Sequence, residues 1–215
     1  MSSTNRKSDI IKATLELASE NGLGTVSMNQ IADKVGISKP SLYNHFSSKD
    51  EIVREMYSFL RNHAKESLGS GGMDFDSLGD GRSLKKILTQ MVDSYRQLCT
   101  SPEMFMFYKI IMSQRSIDKS AAEIMVMETR AMIDATKKLF YALQVKNIAN
   151  FYDADAAALS FAMAVHSIID FECDLNQLDD GAKNTKGPEK NMMKNYIEEF
   201  SRIYSAKEAD KNGKE

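Results

Sequence analysis

The chain has 215 residues, of which 27% are charged and 42% hydrophobic, and its net charge is −2. This length accommodates a small domain and a larger one, while the near-neutral charge excludes binding through a strong overall electrostatic field. Three prolines, no tryptophan and apolar residues at helical spacing predict an all-α chain, since no strand-like alternation persists.

The sequence also predicts where the protein works. No apolar run approaches the length that a bilayer needs, and the N-terminal MSSTNRKSDI lacks a hydrophobic signal region, so we expect a cytoplasmic protein without a membrane partner. Cys99 and Cys173 are far apart and form no C-x-x-C motif. This spacing favours free thiols in a reducing compartment over a disulfide.

The most informative stretch contains three closely spaced helix starts. Ser27 and Gln30 have the spacing of a capping box, in which each residue accepts the backbone N–H of the other. Gly36 can adopt the left-handed conformation that ends this helix, and Ser38 can cap the next one. Pro40 falls in the first turn of the second helix, where its missing N–H costs nothing. This order predicts a helix-turn-helix.

A second capping-box spacing, between Ser48 and Glu51, predicts that a third helix begins just after Phe46. The middle helix is therefore short and must be held by its neighbours through Ile37, Leu42 and Phe46. Its remaining positions carry hydrogen-bonding side chains, namely Lys39, Ser41, Tyr43, Asn44 and His45. A major groove accepts such a helix, although an ordinary surface helix is the alternative.

The run from Ile10 to Phe46, with IIKATLELASENG followed by SMNQIADKVGISKPSLYNHF and the Lys49-Asp50-Glu51 start, resembles the N-terminal DNA-binding domain of the TetR/AcrR family of bacterial regulators. The resemblance covers only the N-terminal part of the chain. It implies an all-helical homodimeric repressor whose C-terminal domain binds a small molecule and thereby controls binding to a double-stranded DNA operator.

The resemblance also implies roles for individual residues. Family positions that approach bases match Lys39, Pro40, Ser41 and Tyr43, those that hold phosphates match Tyr43, His45 and Lys49, and further DNA contacts match Ser27, Met28 and Asn29. Asn44 departs from the family pattern, in which an aromatic is frequent. Its amide can pair with an adenine edge or contact a phosphate, and both alternatives stay open.

Residues 1–49 carry six basic and four acidic side chains, so affinity for DNA has to come from placed contacts. The helix starts at Ser38 and Ser48 offer backbone N–H groups as phosphate sites. Arg6 and Lys7 precede the first predicted helix. They form either an arm that reaches the DNA or a solvated terminus.

After the predicted DNA-binding domain at residues 1–48, we expect a ligand-binding and dimerisation domain at residues 49–205, as the resemblance implies. Residues 49–67 form a connector helix that can transmit movement between the two domains. The glycine-rich segment at 69–81 is predicted to be a loop. The charged tail at 206–215 is predicted to be disordered. The predicted fold is thus an all-α three-helix head followed by a helical bundle.

Apolar spacing predicts five further helices, at 84–98, 103–112, 119–143, 154–175 and 192–204. The second of these is apolar on nearly every side, so we expect it to be buried on several sides. Eleven of the 14 methionines follow residue 70, and such flexible side chains suit a cavity for apolar guests. We expect a pocket lined by Phe105, Tyr108, Met112, Met125, Met132, Phe161 and His166, although these residues can also be core.

His166, Asp170 and Cys173 lie on one face of a predicted helix. This face can hold a transition metal, but three ligands without a fourth do not complete such a site. His166 can instead bond to Asp170 beside a packed thiol, or to a polar group of a ligand.

The sequence contains no zinc-protease, nucleophile-elbow or dinucleotide motif. We therefore expect that the protein is not an enzyme and binds no cofactor. We predict a repressor that binds a palindromic operator as a homodimer and is released by a small apolar or amphipathic effector. The alternatives are a repressor that needs no effector and a metal-responsive regulator that uses His166, Asp170 and Cys173.

The dimer follows from the short recognition helix, which alone reads too few base pairs for specificity. We expect the two C-terminal helices, near 154–175 and 188–204, to form a two-fold interface. Their excess apolar surface lies in the Ala-rich 156–164 segment and in a stripe of Tyr196, Phe200 and Tyr204.

Overall fold

The computed structural model describes residues 3–67, 81–178 and 191–206. These residues form a 3₁₀ turn at Leu23–Thr25 and nine α-helices: α1 (Ser3–Asn21), α2 (Met28–Val35), α3 (Lys39–Tyr43), α4 (Lys49–Ser67), α5 (Leu84–Cys99), α6 (Pro102–Gln114), α7 (Lys119–Val145), α8 (Ala154–Leu178) and α9 (Met192–Tyr204). No strand occurs among the described residues, and the predicted all-α class is confirmed.

The helices predicted from apolar spacing are present, with ends that differ by less than one turn from those expected. The loop predicted at 69–81 and the tail predicted at 206–215 lie outside the described residues, apart from Gly81 and Ala206.

Contacts divide the chain into two compact units. The first comprises Met1–Gly71 and Gln97–Thr129, and the second comprises Gly72–Arg96 and Arg130–Glu215. The helices α1–α4 and α6 belong to the first unit, and α8 and α9 belong to the second. Since both α5 and α7 cross a boundary, each of these helices has residues in both units.

In the first unit, α1 packs against α2, α4 and α6. Its apolar residues recur at helical spacing, and Ile10, Leu15 and Ala18 are buried. Leu42 and Phe46 enter the same core from α3 and the turn that follows it. A helix as short as α3 is marginal by itself, so this burial is what holds it in place.

An aromatic cluster forms the core of the second unit. Phe140 and Phe151 stack with their ring centroids 4.5 Å apart. Phe200 of α9 packs on Phe161 of α8 at 4.7 Å and on Tyr204 at 4.6 Å. Such ring pairs stabilise beyond their buried area, and they fasten α9 onto α7 and α8.

Two expectations about the last helices have to be corrected. The stripe of Tyr196, Phe200 and Tyr204 packs within the second unit, since its rings meet Phe161 and the surrounding core. The second expectation is that no apolar run approaches the length that a bilayer needs. Ala154–Leu175 of α8 does reach that length and is apolar enough to cross a membrane, and it is the one such helix in the described part of the chain. A single helix of this kind is weak evidence for a membrane span.

Candidate DNA-binding surface

The helix-turn-helix predicted from the caps is present at α2 and α3. Ser27 Oγ accepts the Gln30 backbone N–H at 3.3 Å, and the Gln30 side chain accepts the Ser27 backbone N–H at 2.8 Å. Gly36 has the left-handed φ of 73° that ends α2. Ser38 Oγ accepts the Ser41 backbone N–H at 3.2 Å at the start of α3. Local hydrogen bonds therefore set the boundaries between these helices.

The start of α4 is capped differently from the predicted box. Ser48 Oγ accepts the Glu51 backbone N–H at 3.1 Å, as expected. The Glu51 carboxylate, however, accepts both the hydroxyl and the backbone N–H of Ser47 at 2.6 Å each. These two bonds, the hydroxyl first, hold the pKa of Glu51 below its usual value. The reciprocal bond is thus made with Ser47 rather than with Ser48.

Burial separates the helix-turn-helix into a core side and an exposed side. Leu42 and Phe46 are buried, and Ile37 packs partly against the same core. The predicted DNA contacts are all at least partly exposed: Ser27, Met28, Asn29, Ser38, Lys39, Pro40, Ser41, Tyr43, Asn44, His45 and Lys49. The structure thus leaves these side chains accessible on α2, α3 and the start of α4.

Two lysines near this surface already have partners within the protein. Lys34 pairs with Glu16 at 2.9 Å, and this hydrogen-bonded contact raises the pKa of Lys34. Lys49 Nζ donates to the Leu23 carbonyl oxygen at 3.0 Å. That bond ties the first turn of α4 to the 3₁₀ turn, so Lys49 has a structural contact that its sequence position did not reveal.

The N-terminal basic residues belong to a helix. Because α1 begins at Ser3, Arg6 and Lys7 lie within its first two turns, and neither the arm nor the solvated terminus describes them. Lys7 Nζ lies 5.0 Å from the ring centroid of Phe46. This cation–π contact joins the start of α1 to the end of the helix-turn-helix.

The geometry agrees with comparisons to known proteins. A profile described as "Bacterial regulatory proteins, tetR family" matches residues 10–56. TtgW of Pseudomonas putida, an uncharacterized HTH-type transcriptional regulator, is 30% identical over 112 residues, which cover 52% of this chain and 75% of TtgW. The chain belongs to the tetR family of bacterial regulatory proteins. The resemblance stated from the sequence is confirmed.

Two further relatives match smaller shares of their own length. FasR of Mycolicibacterium smegmatis, an HTH-type transcriptional activator, is 43% identical over 66 residues, or 31% of this chain and 28% of FasR. Tetracycline repressor protein class D of Escherichia coli is 30% identical over 107 residues, or 48% of this chain and 49% of the repressor. The matched stretches span less than half the length of these two relatives.

Solved structures share the fold over nearly the whole chain. A protein of Mesorhizobium loti, assigned to the TetR-family transcriptional regulators, has a TM-score of 0.71 at 17% identity and covers 95% of this chain and 99% of its own. The SmeT–triclosan complex has a TM-score of 0.69 at 14% identity, covering 95% of this chain and 93% of SmeT. At such identities the likeness shows the fold alone.

The structure distributes the predicted pocket residues of this tetR-family chain over both units. The first unit holds Phe105, Tyr108, Met112 and Met125, and the second holds Met132, Phe161 and His166. The three residues on α6 are half-buried, whereas Phe161 is enclosed in the aromatic core. On α6 only one side is fully buried, rather than several as expected; this side carries Met104, Phe107, Ile110 and Ile111.

His166 has two polar neighbours in the second unit. Its Nδ1 lies 3.2 Å from the Tyr95 hydroxyl, and its Nε2 lies 3.6 Å from the Asp170 carboxylate. Among the described residues, no group of three or more His, Cys, Asp or Glu side chains is placed to hold a metal ion. Within this part of the chain, His166, Asp170 and Cys173 are therefore not arranged as a metal centre. The 3.2 Å contact of His166 is with Tyr95, which the sequence did not indicate, while Asp170 lies beyond hydrogen-bond distance.

Sequence reasoning missed a buried charged cluster in the first unit. Glu128 of α7 is 1% exposed, accepts a hydrogen bond from the Tyr57 hydroxyl and pairs with Arg61 Nη1 at 2.7 Å. Burial, followed by the bond to Glu128, raises the pKa of Tyr57. A signal was available, because Glu128 interrupts a buried apolar stripe that contains Ile124 and Met132.

Proposed function

We propose that the protein is a transcriptional repressor that binds a palindromic DNA operator as a homodimer and leaves it when a small apolar or amphipathic effector binds the helical bundle. The observation that carries this proposal is the capped α2–α3 pair, which is anchored by Leu42 and Phe46 while its polar side chains stay exposed. Membership of the tetR family supports the same function.

The exposed residues divide into two roles. Lys39 reads bases from the first turn of α3, because its donors suit the acceptors of guanine in the major groove. Tyr43 and His45 hold phosphates and fix the register of the helix. Lys49 can contact a phosphate while it keeps its bond to the Leu23 carbonyl, because its ammonium group has three donors and that bond uses one of them.

An apolar stripe on α8 supports the homodimer. Ala156, Leu159, Met163, Ser167 and Phe171 recur at helical spacing and are exposed in the single chain. Apart from Ser167 the stripe is apolar, and a contiguous exposed apolar surface is typical of interaction sites. A second copy of the stripe suits it, because a two-fold contact is self-complementary and the small residues permit close approach. Only 33% of the most apolar stretch of α8 is buried within the single chain. Pairing with a second copy explains why the helix is nevertheless so apolar.

The effector is proposed to contact α6. Phe105, Tyr108 and Met112 keep part of their apolar surface outside the core, whereas the opposite side of the helix is fully buried. SmeT, which shares the fold, forms a complex with triclosan. We extend small-molecule binding to this chain on these two grounds.

Selection of duplexes from a random pool, followed by melting and binding experiments, tests this function. We expect the selected duplexes to share a palindromic consensus. In a thermal-shift panel of triclosan, aromatic cations and fatty acyl compounds, only a compound that binds as an effector should raise the melting temperature of the protein. Linkage requires that effector and operator weaken each other by the same factor. A consensus without two-fold symmetry contradicts the dimer, and a panel without any compound that releases DNA favours a repressor that needs no effector.

A further inference from the structure

The buried cluster in the first unit joins three helices. Tyr57 and Arg61 lie one turn apart on α4, and both approach the carboxylate of Glu128 on α7. The Tyr57 ring also packs on Phe107 of α6, with the centroids 5.9 Å apart. Since Phe107 is fully buried, Tyr57 is held by its ring against α6 and by its hydroxyl against α7.

The position of Glu128 within α7 adds to this arrangement. The first unit ends at Thr129, the residue after Glu128, and α7 continues from there into the second unit. In the other direction, α4 begins at Lys49, whose ammonium is bonded to the 3₁₀ turn next to α2. A continuous set of contacts therefore leads from the helix-turn-helix through α4 to the point where α7 leaves the unit.

Burial makes this connection stiff. A carboxylate that is 1% exposed cannot exchange its protein donors for water, so separating it from Tyr57 or Arg61 leaves a charge without solvation. A second ion pair between the same helices, Arg54 with Glu123 at 3.4 Å, has side chains that are 49% and 44% exposed. Water can replace that contact at little cost. Of these two ion pairs, the buried one is therefore the costlier to separate.

We propose that Glu128 is a positioning residue that couples α4 to α7, so that a change at the DNA-binding helices is transmitted to α7 and a change in α7 is transmitted back. This inference rests on the proposed DNA-binding function and adds the residue through which control passes. Glu128 contacts neither DNA nor effector; it acts through Tyr57 and Arg61.

Hydrogen exchange of the full-length protein, with and without a duplex selected from a random pool, tests the coupling without an effector. In the parent, bound DNA should slow exchange in α1–α4 and also, about fivefold, in residues 119–129 of α7. Glu128→Gln keeps the side-chain shape but removes its charge, so DNA should still protect α1–α3 while the effect on α7 falls at least about twofold. Glu123→Gln makes the same change in the exposed pair and should behave as the parent does.

Each outcome decides the question. The proposal is overturned if DNA slows exchange in α7 equally in the parent and in Glu128→Gln. It is also overturned if Glu123→Gln loses the protection of α7 as well, or if bound DNA does not slow exchange in α7 of the parent. Should Glu128→Gln fail to fold, Tyr57→Phe removes only the hydroxyl and should reduce the α7 effect at least about twofold; an unchanged effect overturns the proposal. If DNA protects no part of the parent's α1–α3, the proposed function itself fails, and the coupling fails with it.

Discussion

Substituting Met163 with glutamate tests the proposed homodimer surface. Met163 is 41% exposed and lies in the α8 stripe between Leu159 and Phe171. In a two-fold dimer the same position is covered on both protomers, so one substitution is felt twice. The variant therefore places two carboxylates in a single apolar contact.

The loss of dimerisation free energy can be estimated from the fraction of Met163 that is exposed in the single chain. Fully burying a methionine stabilises by about 1.5–3 kcal/mol, so covering the exposed 41% of Met163 contributes about 1 kcal/mol on each protomer. Desolvation of each unpaired carboxylate costs at least about 1 kcal/mol more. The dimerisation free energy should fall by about 4 kcal/mol, which weakens the dimer roughly a thousandfold.

Analytical ultracentrifugation over a concentration series measures this change. Val145→Glu is the matched control, because Val145 is 86% exposed on α7 of the same unit and lies outside the stripe. Met163→Glu should be monomeric where the parent and the control are dimeric, with circular dichroism spectra unchanged. A Met163 variant whose dimer is weakened less than about tenfold would refute the proposed surface.

Three further substitutions test the local structure. Gly36→Ala should lower the free energy of unfolding by about 1–2 kcal/mol in urea melts, because the positive φ strains any residue with a Cβ; an equal stability would contradict that reason. Glu51→Gln should be less stable than the parent at neutral pH. Since the folded pKa of Glu51 is lowered, the difference should persist above pH about 4.3 and disappear as the pH falls through the folded pKa, so a pH-independent difference in thermal melts would be evidence against the Ser47 bonds. Phe200→Ala should cost about 3–5 kcal/mol in urea melts, as expected for a buried core ring; a cost below about 1 kcal/mol would place Phe200 outside the core.

The parts of the fold that the sequence predicts correctly depend on neighbours along the chain. The cap at Ser27, the turn at Gly36 and the cap at Ser38 involve residues three or four positions apart, so their spacing is visible directly. Helix faces are similarly visible, because a period of 3.6 residues does not depend on the rest of the fold. For this reason α5 to α9 could be placed from apolar spacing.

Contacts between distant residues lie beyond such patterns. An apolar stripe such as that of Phe200 does not show whether it faces its own chain or a partner, and here it faces the aromatic core. Glu128 finds Tyr57 at a separation of 71 residues, which no local spacing encodes. Even the Glu51 cap shifted to Ser47, because the choice between adjacent donors depends on the shape of the turn.

The most direct test of the central claim is an anisotropy titration of the selected duplex and a scrambled duplex of equal length, at several salt concentrations. The parent should prefer the selected duplex by at least about a thousandfold. Lys39→Ala should lose about 1–3 kcal/mol of this preference, whereas Lys49→Ala should weaken binding to both duplexes and reduce the salt slope by about one. Equal affinity of the parent for both duplexes would contradict the claim that the α2–α3 surface reads DNA sequence.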